Sequence, residues 1–477
     1  SSIAFRSPVS RERFIKFYYN PKYILSVQIQ SANIRELPAA KLQNCIKLDF
    51  AYNQLKIFPN ISFIAPNINT LSLMRNPFYL SDNEFERKFN NLIMDKLKTP
   101  SNTLRVLKME GTFYNSIERH LIPVNLPNLT SIDFSRGGGA YFHPDDRGNN
   151  TSDSNYIADN RGDESYCPDV PASVTSYKIR SNDFRSVDLR ETTSGSVDVV
   201  ITNSSDGSLS KVSRTLSNGS YSFKRAPNLT ELDVGGNYYL DDAQSSGNFN
   251  LASKDKLVSV NYDSTNLGVA NMQNSQSLQS YSQTYARGSG ANPLVSGTSY
   301  LFENCSSLET VTFYASNLGS INFPINFSNT SLKSLDLRYT GVKGGASGNE
   351  NEVITNGTFF TCPSIQRIYI DSPNLLSKPI NANAFKQNPE LFYFWLRSYG
   401  RVNGSLPDFS SNPQLQYLWL QQNAFSGSLP NFGNNQNIHY VNVVNNNFTG
   451  IIPGFSNLSN LRYIYLQNNS FTGIGEP

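Results

Sequence analysis

One pattern recurs along the chain and limits its fold more than any other feature. At the C-terminal end it reads Leu415-x-x-Leu418-x-Leu420-x-x-Asn423, then Ile438-x-x-Val441-x-Val443-x-x-Asn446, then Leu461-x-x-Ile464-x-Leu466-x-x-Asn469, with the asparagines 23 residues apart. Walking towards the N-terminus, the four key positions are Leu391, Phe394, Leu396, Tyr399; Ile365, Ile368, Ile370, Pro373; and Leu332, Leu335, Leu337, Thr340. Before them come Leu308, Val311, Phe313, Ser316; Leu257, Val260, Tyr262, Thr265; Leu229, Leu232, Val234, Asn237; and Val174, Tyr177, Ile179, Asn182. The first five copies are Ile24, Val27, Ile29, Ala32; Cys45, Leu48, Phe50, Asn53; Ile68, Leu71, Leu73, Asn76; Leu104, Leu107, Met109, Thr112; and Leu129, Ile132, Phe134, Gly137, which brings the count to fifteen. The alternating apolar pair reads as a short strand with every second residue buried. The asparagine falls where the chain turns and can bond backbone groups that the turn leaves unpaired. No unit of this size buries its apolar face alone, so neighbours must stack into one core.

On these residues the chain resembles the leucine-rich-repeat superfamily. The resemblance implies an α/β repeat fold: a curved solenoid with a parallel sheet on its concave face. The last four repeats, from about Leu391, resemble the plant-type subclass through Gly404-Ser405-Leu406-Pro407, Gly427-Ser428-Leu429-Pro430 and Gly450-Ile451-Ile452-Pro453.

Departures from the 23-residue step mark insertions. Residues 1–22 mix Arg6, Arg11, Arg13, Lys16 and Lys22 with Phe14, Phe17, Tyr18 and Tyr19, and read as an N-terminal cap. Residues 23–477 form the solenoid. A helix is expected at about 80–100, from the Ser81/Glu84 capping box and the stripe Phe85, Phe89, Leu92, Ile93, Leu97. A loop is expected at 138–165; its Asp145, Asp146 and Asp153 are weak calcium candidates whose spacing does not match an EF-hand. Val197, Val199 and Ile201, then Leu209 to Leu216, then Tyr221 and Phe223, separated by Asp206-Gly207 and Asn218-Gly219, predict a three-stranded meander at 195–225. A Ser/Gln/Asn-rich loop is expected at 266–300. The chain starts without Met and its repeats run to Pro477, so a processed or partial chain, or an end covered by another chain, is expected.

Composition excludes several function classes. Lys plus Arg is 40 against 37 Asp plus Glu, a net charge of +3, too small for nucleic-acid binding as the main task. Charged residues are 16% of the chain, below the roughly 25% usual for soluble domains. No apolar run reaches the length of about 18 residues that a transmembrane helix needs. The three histidines, His120, His143 and His439, are scattered, and no nucleophile elbow, phosphate loop or metalloprotease motif occurs. No enzyme activity and no cofactor are expected. Cys305 and Cys362 occupy equivalent places two repeats apart, roughly 10 Å by strand spacing, too far for a disulfide. All four cysteines read as free thiols. Sequons at Asn60, Asn128, Asn149, Asn203, Asn218, Asn228, Asn304, Asn326, Asn329, Asn356, Asn403, Asn447, Asn457 and Asn468 suit a secreted protein and also arise by chance in so Asn- and Ser-rich a chain.

The outward positions of the strands carry the functional signal. The residue before the second core position is Tyr393, Tyr417, Tyr440 and Tyr463 in successive repeats. The residue between the paired core positions is Tyr369, Trp395, Trp419, Asn442 and Tyr465, and includes both tryptophans of the chain. N-terminal repeats place Asp49, Ser72, Lys108, Asp133, Lys178 and Asp233 there. An aromatic patch five strands wide is expected, with Asn442, Gln421 and Gln467 as hydrogen-bonding neighbours. Two readings stand: a ladder that supports the strands, and a face that binds a protein or glycan ligand. The whole reads as a non-catalytic recognition or adhesion protein at an extracellular, cell or virion surface. The alternative is a structural subunit of a phage tail, virion or surface filament, packed against neighbouring subunits; a receptor ectodomain is the third.

Overall fold

The computed structural model describes residues 2–6, 21–37, 40–78, 96–111, 126–136, 171, 173–180, 195–202, 209–216, 228–237, 255–265, 269, 272–286, 302–318, 331–345, 350–359 and 361–475. The chain forms two compact units, Ser1–Asn248 and Phe249–Pro477.

The first unit contains β1 (Ser2–Arg6), β2 (Ser26–Gln30), β3 (Lys47–Asp49), β4 (Thr70–Ser72), β5 (Val106–Lys108), β6 (Ser131–Asp133), β7 (Ser176–Lys178), β8 (Gly195–Thr202), β9 (Leu209–Leu216) and β10 (Glu231–Asp233). Strands β1 to β7 and then β10 pair in that order, all parallel. In the second unit, β11 (Ser259–Asn261), β12 (Ser280–Ser282), β13 (Thr310–Thr312), β14 (Ser334–Arg338), β15 (Arg367–Asp371) and β16 (Tyr393–Arg397) form a run. There β17 (Asn403–Gly404), β18 (Tyr417–Trp419), β19 (Ala424–Ser428), β20 (Tyr440–Asn442), β21 (Asn447–Ile452), β22 (Tyr463–Tyr465) and β23 (Ser470–Ile474) follow. Here β11 to β16, β18, β20 and β22 make one parallel sheet. The strands β17, β19, β21 and β23 make a second, shorter one. That second sheet is built by the Gly-x-x-Pro segments. Gly404, Gly427 and Gly450 sit at φ +77°, +79° and +76°, a left-handed backbone that glycine enters without strain. Each unit is thus a parallel repeat solenoid, as the periodicity requires.

The core follows the repeat frame. Central strand residues Val27, Leu48, Leu71, Ile132, Leu335, Ile368, Phe394, Leu418 and Val441 are fully buried. Rings continue the core from turn to turn: Phe385 stacks on Phe359 and Phe409 at 6.0 and 5.6 Å, and Phe448 on Phe425 and Phe471 at 6.3 and 6.4 Å. The asparagines form a ladder. Asn423 Nδ2 donates to Leu396 O and Leu420 O, both 2.9 Å; Asn446 Nδ2 donates to Leu420 O (2.8 Å) and Val443 O (3.0 Å). Asn76 repeats this on Phe50 O and Leu73 O, both 2.9 Å.

Several expectations change. The segment 266–300 is not a plain loop, because β12 lies inside it, paired between β11 and β13. A further repeat is therefore present, with Leu278, Tyr281 and Gln283 all buried and the Tyr281 hydroxyl donating to Gln283 Oε1 at 2.7 Å. The ladder place given to Pro373 and Tyr399 belongs to the preceding residues. Ser372 and Ser398 are fully buried there; the Ser372 hydroxyl donates to Val342 O (2.8 Å) and Ser398 Oγ accepts from Val402 N (2.9 Å). Within the expected cap 1–22, β1 adds a strand in register with β2. The insertion at 195–225 shows the antiparallel pair β8–β9. Its third expected strand, most of the 80–100 helix, and the 138–165 loop with Asp145, Asp146 and Asp153 lie outside the described residues. Lys96 Nζ donates to Phe58 O at 2.7 Å, and burial lowers its pKa. Cys45, Cys305 and Cys362 are buried thiols; burial pushes the Cys305 thiol up to about 11. Cys167 lies outside the described residues.

Candidate functional site

The nine residues singled out from the sequence lie on one face of five neighbouring strands, in two register rows. One row runs Tyr369, Trp395, Trp419, Asn442, Tyr465; the other runs Arg367, Tyr393, Tyr417, Tyr440, Tyr463. Their neighbours on each strand point into the core, because successive side chains alternate. The rings stack on one another. Trp395 and Trp419 are 4.8 Å apart at an interplanar angle of 8°, and Trp419 meets Tyr440 at 5.0 Å and 23°. Tyr393 contacts Tyr369 at 4.9 Å and Tyr417 at 5.3 Å, and Tyr440 reaches Tyr465 at 5.5 Å. His439 stacks on the far side of Tyr417 at 6.2 Å and 15°, with Nδ1 2.7 Å from Asn437 O.

The inner rings, Tyr393 on Tyr417 and Trp395 on Trp419 on Tyr440, turn their faces towards each other, while Tyr369 meets Trp395 edge to face. Tyr369 to Tyr440 are half-buried, whereas Tyr463 is 57% exposed. Asn442 is buried; its Oδ1 accepts from Val444 N at 3.1 Å, and its Nδ2 lies 3.4 Å from both Gln421 Oε1 and Tyr440 OH. The Nε1 atoms of Trp395 and Trp419 are both buried without a hydrogen-bond partner. Burial pushes the Tyr393 hydroxyl up to about 12, with Tyr369 beside it adding to the rise. The unfolded chain releases that proton at the ordinary tyrosine value of about 10. The ladder's stability is therefore complete below that value and declines as pH climbs towards about 12. Ultraviolet titration of the folded protein against Tyr393→Phe should show one phenol ionising at the top of this window. A missing phenol that ionises with the bulk would refute the burial argument.

Arginine closes the β14 end of the ladder. The Arg338 guanidinium lies 4.6 Å from the Tyr369 ring centre, 5.3 Å from Trp395 and 5.1 Å from Tyr314. Asp336 holds it from below through Nε–Oδ1 (3.0 Å) and Nη2–Oδ2 (2.6 Å), and that hydrogen bonding raises its pKa further. Two strands on, Arg397 pairs through Nε (2.8 Å) and Nη2 (2.5 Å) with Oδ2 of the fully buried Asp371. The first unit presents ion pairs on its sheet face instead: Arg75–Glu110 at 2.8 Å, Lys178–Glu231 at 2.7 Å and Arg180–Asp233 at 3.4 Å.

Solved structures with this repeat geometry are found throughout. A plant peptide hormone receptor, RGFR1 in complex with RGF2, matches at TM-score 0.60 and 17% identity over 94% of this chain and 60% of its own. The chain folds as a leucine-rich-repeat protein. The TDR receptor matches this solenoid at 0.52 and 17% over 95% of this chain and 73% of its own. The ectodomain of the Arabidopsis thaliana receptor kinase GASSHO1/SCHENGEN3, in complex with CASPARIAN STRIP INTEGRITY FACTOR 2, matches at 0.51 and 13% over 95% and 51%. This chain thus spans about half to three fifths of the length of the first two receptors named in complex with a partner. No family model and no curated protein matches it.

Some residues of this solenoid face escaped the sequence reading. Tyr285, Tyr314, Tyr339 and Tyr399 follow their strands rather than lie in the two rows. Tyr314 contacts Tyr285 at 5.4 Å and Tyr339 at 5.3 Å, both edge to face. The signal available was their recurrence one to three residues after the last core position. Among the described residues no group of three or more His, Cys, Asp or Glu is placed to hold a metal.

Proposed function

We propose that this leucine-rich-repeat protein is a non-catalytic binding protein that holds a polypeptide ligand on the aromatic face of β15, β16, β18, β20 and β22, outside the cell. The observation that carries the reading is the unbroken ring contact from Tyr369 to Tyr465 on one sheet face. A half-exposed aromatic tract of this width is unusual on a protein surface that nothing covers, and tyrosine and tryptophan dominate binding hot spots. Polypeptide is favoured over glycan by the stacking itself. A sugar ring packs on an open aromatic face, and the inner rings here spend their faces on each other. What they offer is edges and hydroxyls, which suit peptide groups and apolar side chains. A plant peptide hormone receptor of the same fold supports this choice. For the location, the support is that Asn60, Asn128, Asn228, Asn304, Asn356, Asn403, Asn447, Asn457 and Asn468, the described sequon asparagines, all lie at the surface.

Tryptophan fluorescence tests the site directly, because the only two tryptophans stand in it. Linear peptides enriched from a displayed random library on the intact protein should shift that emission as they saturate. Enriched peptides that leave it unchanged would move the site elsewhere. Binding confined to a glycan array would replace polypeptide by carbohydrate.

A further inference from the structure

We infer that Tyr285, Tyr314, Tyr339 and Tyr399 form a second strip of the binding surface, held together in part by Arg397 and joined to the aromatic rows by Arg338, and that the combined tract takes an uncharged, extended polypeptide segment. The inference rests on the proposed binding function and extends it to residues outside the two rows.

The first observation is backbone conformation. Tyr285, Tyr339 and Tyr399 have φ of +51°, +57° and +56°. The left-handed region is disfavoured for bulky side chains, by about 1 kcal/mol or more each. Other turns place Ser264, Gln422, Asn445 or Asn468 in this region, and Tyr52, Arg75 and Arg136 of the first unit stand there as well. Burial does not offset the strain, because Tyr285, Tyr339 and Tyr399 are 56%, 46% and 49% exposed. One such ring, Tyr52, stands alone in the first unit at 51% exposure, whereas three gather beside the aromatic rows, and it is that gathering that marks a shared surface.

The second observation is continuity. Tyr285 touches Tyr314, Tyr314 touches Arg338, and Arg338 lies on both Tyr369 and Trp395. Arg397 lies 5.5 Å from the Tyr339 ring and 4.9 Å from Tyr399. The tract therefore runs from the turn after β12 to β22. Seven strand spacings make that roughly 34 Å, the length of about ten residues of extended chain.

The third observation is charge. Arg338 and Arg397 would ordinarily select an anion, but each is held by a carboxylate of its own sheet, Asp336 and Asp371. Their guanidinium planes act as fixed partners of the rings, and these two charges are balanced; Arg367, at the β15 end of the second row, lies on the Phe392 ring and has no ion pair among the described residues. An uncharged segment fits the tract; an acidic one would have to displace Asp336 or Asp371 to reach Arg338 or Arg397.

The probe is a displayed library of random uncharged dodecapeptides selected on the intact chain. Three proteins are compared: the parent, the rim variant Tyr285→Asn/Tyr339→Asn/Tyr399→Asn, and the face variant Trp395→Ala/Trp419→Ala. Asparagine suits the left-handed turn, so the rim variant should melt within a few degrees of the parent, the relieved strain offsetting the lost edge contacts. It should bind the selected peptides about tenfold or more weakly, with affinity nearly independent of salt. Peptides weakened by the face variant but not by the rim variant would overturn this inference and leave the proposed function standing. Peptides weakened by neither would overturn both. Strong salt dependence, or preferential enrichment of acidic sequences from an unbiased library, would overturn the uncharged-segment assignment. If the triple variant does not fold, Tyr285→Asn and Tyr399→Asn alone carry the same comparison.

Discussion

Asn446→Ala should destabilise the second unit by about 3 kcal/mol, enough to lower its melting temperature by roughly 6–12 °C. The side chain is almost wholly buried and makes four bonds, the longest from Nδ2 to Val444 O at 3.3 Å. Its Nδ2 donates to Leu420 O and Val443 O, and its Oδ1 accepts from Phe425 N at 3.0 Å. The two carbonyls are shared with neighbouring rungs, since Asn423 also donates to Leu420 O and Asn469 to Val443 O. Loss of Asn446 therefore leaves those acceptors half satisfied. The Phe425 N–H is different: Asn446 Oδ1 is the acceptor that holds it inside the core. An orphaned buried donor costs about 1–3 kcal/mol, and two lost bonds add about 1 kcal/mol each. Asn447→Ala is the control, being an exposed position one residue on, and should stay within about 0.5 kcal/mol of the parent. Urea unfolding of both variants decides the matter. If the two behaved alike, the ladder would not be what holds adjacent repeats together.

The same chemistry explains how much of the molecule could be read from its sequence. Leucine and asparagine at fixed spacing are legible because each has one environment: the leucine must leave water and the amide must bond several backbone groups at once. Where a different residue meets the same demand, the frame is obscured. Tyr281 and Gln283 are polar residues in core places, and they bond each other at 2.7 Å, so the repeat between Ser280 and Ala286 hides inside a polar composition. Ser372 and Ser398 replace the amide by a hydroxyl with shorter reach, and the frame slips by one residue around them. The two aromatic rows were legible because strand alternation sends every second side chain to one face. The rim tyrosines were harder to see, since their distance from the last core residue varies from one to three and nothing in a tyrosine marks it for a left-handed turn. The bridge through Arg338, which joins Tyr314, Tyr369 and Trp395 from three different strands, was not legible.

Trp395→Ala with Trp419→Ala is the largest effect expected on binding, a loss of about 100-fold or more for peptides selected on the parent protein. Both indoles sit at the centre of the five-strand face, stacked at 4.8 Å, and each has a further neighbour: Tyr369 for Trp395 and Tyr440 for Trp419. Removing both opens the middle of the tract and frees Tyr369, Tyr440 and Arg338 to reorient. The fold should survive, because the residues beneath them, Phe394, Leu396, Leu418 and Leu420, are fully buried and untouched. A second pair, Trp395→Phe with Trp419→Phe, separates the two roles open to the ladder. Phenylalanine keeps a ring in each place and removes the two buried, unpartnered indole N–H groups, which cost stability as they stand. If the rings only brace the strands, the phenylalanine pair should be as stable as the parent or more so, and selected peptides should bind both equally. If the face reads a ligand, the phenylalanine pair should keep its melting temperature and lose affinity, because the contact area and edge of the indole are gone. Stability and binding then move independently. Equal affinity of the parent, phenylalanine and alanine proteins would leave these rings as a brace between strands and nothing more.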